Sequence, residues 1–464
     1  MSLPLILLLC LLTVTYLAYL LSPFLYPPHP RIPNAHRTSG LSSLWLTHLR
    51  RGGKTGISAI ISAHARHGPI IRLSPSELSV ASLEGLKTIY TGGFEKTDFY
   101  SQFMNYGTFN LVSLVGNREH TARKRMLSHV YSKSYILSSE QIQEFSRKLV
   151  YEDLGPVLRS AVEGGKEEAE GKGGGWGGLD AYALNQAMGA DFTSSFLMGM
   201  GSCTCFIPDI PAAKDFLQKW KVKSRELPGH AKTTEELEEC VLDLLRKGRT
   251  ASAEDSKGIV RSQLETQLRA KHVKEGEKMS DGYSEDAKII ASEIFDHLIA
   301  GIETARITLT YLQWELSLPH NSTIQSALRA ELRTLSPPIA LSSPSSSRAG
   351  TQLPTSREID TLPLLDAVLK EILRMYPPSP ASLPRIVPVG GWCCMGRAAM
   401  FCIRIPQCLR HRGSLCRRVL KLITAALYTS FETQIIDDEG IEQEDAFLAG
   451  PKGEKLVLGI RAVA

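Results

Sequence analysis

The sequence predicts a mainly α-helical protein with small β-sheets behind an N-terminal transmembrane helix. An unbroken run over residues 284–319 repeats apolar side chains by threes and fours, as a long core helix does. The segments around it never settle into the strand–helix alternation of a doubly wound sheet. Residues 3–26 carry no charge over a length that suits a hydrocarbon core of ~30 Å.

That first stretch lacks a basic leader and a small-x-small cleavage site, so it reads as a span rather than a removed signal. Arg31, Arg37, Arg50, Arg51 and Lys54 follow it, which puts the body of the chain on the cytosolic side. The organisation expected is an anchor over 1–26, a stiff Pro-rich linker over 27–40 and one large domain over 41–464. A net charge of +5 on 464 residues demands no nucleic-acid partner. Nine cysteines, an odd count without regular spacing, argue against a disulfide framework.

Residues 68–80 have short apolar runs broken by Pro and Ser, as strands of a small sheet would, and 83–90 return to helix. Residues 119–132 form a helix with His120, Arg123, Lys124 and Arg125 on adjacent turns; a solvated charged face and a clamp for an anionic group both fit. The Gly-rich stretch 164–178 and the Pro/Ser-rich stretch 335–357 read as loops. Ser284 can cap the long helix, whose buried stripe runs through Ile294, Leu298, Ile302, Ala305, Leu309, Leu312 and Leu316. Gly301 costs roughly 1 kcal/mol there relative to Ala, and beside Thr304 it lets the helix widen and free a polar group for water or oxygen.

Pro363 opens another helix, Leu365, Val368, Leu369, Ile372 and Tyr376 mark its apolar stripe, and Pro377-Pro378 ends it. Glu371 and Arg374 stand one turn apart, away from that stripe. By spacing alone they are a surface ion pair worth about 0.3–0.5 kcal/mol.

Glu371-x-x-Arg374 followed by Leu383-Pro384-Arg385, with Ala300-Gly301-Ile302-Glu303-Thr304 upstream, resembles the cytochrome P450 family. The helix over 324–332 and the tail over 421–464, a last helix, a hairpin and a closing strand, are similar to that family as well. The resemblance implies a P450-like fold and a haem-thiolate monooxygenase, which inserts one atom of dioxygen into an apolar small molecule. It implies haem b (iron protoporphyrin IX), electrons from NADPH through a flavoprotein reductase, contact with membrane lipid, and a single-pass place in the endoplasmic reticulum with the domain in the cytosol. Within it, Ala300 and Gly301 belong to the oxygen-activation segment, and Glu303 and Thr304 relay protons. Glu371 and Arg374 brace the cysteine side, while Arg385, His120 and Lys124 face the haem propionates. His120 stands where a Trp is usual and Lys124 where an Arg is usual.

The family's cysteine loop, Phe-x-x-Gly-x-Arg-x-Cys-x-Gly, is absent. Cys408 has the better spacing to Phe401 and to the last helix, which is expected near Lys421; Cys394, before Gly396-Arg397, is the weaker candidate for iron ligand. Residues 393–418 therefore admit three readings: an out-of-frame or mis-spliced copy of the loop, a haem-less relative without enzymatic activity, or a working site with an unusual loop.

Overall fold

A computed structural model describes residues 4, 8, 10–18, 32–169, 175–225, 231–250, 258–275, 285–341, 352–388, 399–402 and 415–463. The long helix, Glu285–Ser317, is the axis of the molecule, and the expected stripe from Ile294 to Leu316 is buried. It crosses Ala181–Met198, a helix buried on every side, as a helix without a polar face must be. Two glycines let these helices approach. A Cβ on Gly301 would lie 2.5 Å from Thr193 Oγ1, and one on Gly189 would lie 3.4 Å from the Ile302 backbone. Near one end of the long helix, Asn185 and Gln313 exchange amide hydrogen bonds of 2.8 and 3.0 Å. The reciprocal pair satisfies two buried polar groups and fixes the helices in register.

This corrects the expectation for Gly301. The helix is uninterrupted from Glu285 to Ser317. Gly301 supplies space for a neighbouring side chain instead of a local widening.

Ile70–Ser74 (β1) and Glu77–Val80 (β2) are the expected strands, paired antiparallel, and Ser82 caps the helix Leu83–Thr91 after them. Gly177–Asp180 (β3) corrects the loop reading of 164–178. Residues 164–169 continue the helix Gly155–Ala169, and β3 pairs with the C-terminal strand. A Cβ on Gly177 would collide with the Ala161 carbonyl, so a glycine that suggested a loop allows a strand to lie flat on a helix.

Arg385–Ile386 (β4) and Ala399–Cys402 (β5) complete the first sheet in the order β1-β2-β5-β4. Phe431–Asp437 (β6) and Val457–Ala462 (β7) form the second with β3, in the order β3-β7-β6. The last helix begins at Leu415 rather than near Lys421, which brings Cys416, Arg417 and Arg418 into it. The stretch 335–357 is helical at its end, where Thr355 and Glu358 cap Ser356–Thr361 reciprocally.

Pro363–Met375 forms as expected, with Leu365, Leu369 and Ile372 buried. Its first backbone N–H groups are taken by Glu331, which accepts from Leu364 at 2.7 Å and Leu365 at 2.8 Å. Its far end is fixed by Tyr376, stacked on Tyr311 of the long helix at 4.4 Å and donating to Glu315 at 2.7 Å. Among the described residues no helix is long and apolar enough to cross a membrane. The expected span 3–26 lies largely outside the described residues; the part described, 10–18, is helical, with Leu11, Leu12, Val14, Tyr16 and Leu17 exposed.

Candidate functional site

The residues singled out for an anionic group come together. His120 and Lys124 sit on Asn117–Leu127, and Arg385 begins β4. The fourth member, which sequence reasoning missed, is Lys96, joined to Arg385 through an antiparallel bridge. Arg385 lies over the rings of Tyr90, at 4.9 Å, and Tyr100, at 5.1 Å, and donates to the Tyr100 hydroxyl and to the Pro384 carbonyl. Lys96 Nζ donates to the carbonyls of Leu111 and Val112 at 2.9 and 2.8 Å. Burial, with Lys96, Lys124 and Arg385 nearby, pushes His120 down to about 4. Burial and Arg385 push Lys96 down to about 8, against the pull of Asp296 and Glu293. Burial and the cations around them thus depress His120 and Lys96, so the cluster favours an incoming anion. No spacing in the sequence joins Lys96 to Arg385; the bridge does.

The long helix presents its open face to the same region. Ala300 is exposed, and Asp296, His297, Gly301 and Thr304 are half-buried around it. Glu293, fully buried, pins the loop after Asn110 and the His120 helix to this face: it accepts from Arg123 at 2.6 Å and from the Leu111 backbone at 3.1 Å. His297 Nδ1 and the Tyr131 hydroxyl share a hydrogen bond of 2.7 Å. Asp296 is left over. Its Oδ2 is shielded and accepts no hydrogen bond, and burial, with Glu293 beside it, pushes its carboxyl up to about 8. The cue available in the sequence was an acid one turn before Ala300.

Glu303 and Thr304 part company. Glu303 and Arg306 form an ion pair in which each side chain is only 3% exposed, and the guanidinium lies 4.6 Å from the centre of the Tyr182 ring. That pair faces the interior of the bundle, away from the opening at Ala300. Thr304 Oγ1 donates to the Ala300 carbonyl at 2.7 Å and lies 3.6 Å from Cys416 Sγ. Sequence reasoning passed over Cys416, because only the earlier helix start brings it here.

Glu371 and Arg374 meet through two hydrogen bonds of 2.7 and 2.5 Å. They are 55% and 63% exposed and line an open groove with Lys133, Asp366, Lys370 and Arg417. Cys408 and Cys394 lie outside the described residues. Among the described residues no cluster of His, Cys, Asp or Glu is built to hold a metal ion.

A haem places two carboxylates and a flat macrocycle in such a site. The four-base cluster suits the carboxylates, and the gap at Ala300 suits an edge of the ring. At Thr304 the fit is tight. A flat ring between two facing atoms needs roughly 7 Å, twice the usual carbon–carbon contact, and Thr304 and Cys416 stand 3.6 Å apart. A haem seated there requires the start of the Leu415–Ser430 helix to draw back.

Residues 214–389 match the family model described as cytochrome P450. The chain is 25% identical to the cytochrome P450 monooxygenase avaI of Aspergillus versicolor, over 72% of this chain and 73% of that protein. To the cytochrome P450 monooxygenase gsfF of Penicillium aethiopicum it is 26% identical, over 82% and 75%. A shorter stretch, 26% of this chain and 24% of the relative, is 30% identical to the benzoate 4-monooxygenase bphA of Aspergillus niger. With the helical frame, the base cluster and the Ala300–Thr304 segment in their expected order, these matches make the chain similar to the cytochrome P450 family over residues 214–389 and to fungal relatives named as monooxygenases.

Proposed function

We propose that this protein is a haem-thiolate monooxygenase of fungal secondary or xenobiotic metabolism, inserting one atom of dioxygen into an apolar small molecule. The observation that carries the reading is the convergence of Lys96, His120, Lys124 and Arg385 beside the open face of the long helix. Haem supplies the binding and reductive activation of dioxygen, with electrons from NADPH through a flavoprotein reductase at the endoplasmic reticulum membrane. The chain's part would be to hold the propionates on the four bases, to leave room at Ala300, and to offer the Thr304 hydroxyl as a proton donor. Cys408 is the ligand proposed for iron. Glu303, tied to Arg306, acts on this face only by moving out of its ion pair.

The approach of Thr304 and Cys416 favours a second reading, a haem-less relative of the same fold. The absorption spectrum of the purified full chain, expressed with ample haem, separates the two. A haem band that shifts on reduction with carbon monoxide in the manner of a thiolate-ligated iron supports the monooxygenase. A folded, colourless protein removes it.

A further inference from the structure

On the far side of the Leu415–Ser430 helix, a small cavity is lined by Lys133, Ser356, Asp360, Arg417, Arg418 and Lys421. Four cations thus face one carboxylate, and Asp366, just outside the lining, takes Arg417 and Lys421. Asp360 receives Lys133 at 2.6 Å and Lys421 at 3.3 Å. Four positive charges against two negative ones leave a surplus of two. Of the four, Arg418 is the one without a carboxylate within ion-pair distance among the described residues. Arg418 is 5% exposed, and its Nη2 reaches only the neutral oxygens of Gln143, at 3.2 Å, and Ser146, at 3.4 Å. Among the described residues its Nε and Nη1 are buried without a hydrogen-bond partner.

A buried guanidinium with two orphaned donors is costly unless an acceptor completes it. Among the described residues none completes it. Stretches 342–351 and 403–414, which rejoin the described chain next to Ser356 and Arg417, contain no Asp or Glu. Burial lowers Arg418 to about 10, with Asp360 opposing, so it stays charged at neutral pH.

We propose that this cavity is a binding site for a small oxyanion of the phosphate class, completed by Arg418 Nε and Nη1 with Lys133 and Arg417 at the rim. The site is separate from the base cluster around Arg385 and does not depend on haem.

The test is calorimetric titration of the full chain with inorganic phosphate, against sodium chloride at equal ionic strength, with melting curves alongside. The wild type binds phosphate at one saturable site and its Tm rises with phosphate but not with chloride. Arg418→Met, which removes the orphaned charge while keeping the side chain's bulk, melts no lower than wild type and loses the phosphate response. Lys133→Gln, at the exposed rim, weakens binding roughly ten-fold, the scale of one charge-assisted hydrogen bond. Phosphate effects no larger than those of chloride overturn the proposal. So does a phosphate response that survives in Arg418→Met or, should that variant fail to fold, an affinity unchanged in Lys133→Gln.

Discussion

Thr304 Oγ1 on the long helix lies 3.6 Å from Cys416 Sγ on the last helix. In the sequence these residues belong to different stories, one to an oxygen-activation signature and the other to an irregular Cys- and Arg-rich stretch. Their approach sets how closely two site-forming helices come together. Thr304→Cys should therefore form a disulfide with Cys416 under mild oxidation of the haem-free protein, seen by mass spectrometry of unreduced peptides. Cys416→Ala should abolish it, and bound haem should suppress it. A crosslink that forms equally well with haem bound would mean that the two helices do not part.

Thr304 has a second consequence under the monooxygenase reading. Thr304→Ala should keep NADPH consumption and lose most of the coupled product, because the hydroxyl that hands over protons is gone. Parallel measurement of NADPH use and product checks this; unchanged coupling takes Thr304 out of that role.

Glu303 and Arg306 are each 3% exposed. Removing one partner strands a buried charge, so Arg306→Met should destabilise the fold by about 3–5 kcal/mol. The double variant Glu303→Gln/Arg306→Met should recover much of that loss, as chemical denaturation can show.

Gly301→Ala gains helix propensity of about 1 kcal/mol yet drives a methyl to 2.5 Å from Thr193 Oγ1. Overpacking of about 1–3 kcal/mol should win, lowering Tm, and Thr193→Ala in the same chain should restore it. A double-mutant cycle measures the coupling.

Two groups give stability opposite slopes with pH. His120 falls from its ordinary 6.5 to about 4, so the unfolded chain binds more protons in that window and stability is lost as pH drops through it. His120→Gln should flatten that limb. Asp296 rises from 3.8 to about 8, so the folded chain holds the extra proton and stability falls as pH climbs between those values. Asp296→Asn should raise Tm more at pH 8.5 than at pH 5, which melting curves across the range would show.

The sequence by itself determined the frame. Apolar spacing located Glu285–Ser317 and Pro363–Met375, with their buried stripes, because helical periodicity is a local property that packing later confirms. It also named three of the four bases, His120, Lys124 and Arg385. Only the tertiary structure decided the rest. Lys96 joined them through an isolated bridge to Arg385, Glu303 was taken by Arg306 because both face the bundle interior, and Gly301 proved to be a seat for Thr193. Arg418 and Cys416 gained meaning once the last helix began at Leu415. A chain segment carries its period and its caps, but which side chains meet across the core depends on how the helices cross, and no single segment encodes that.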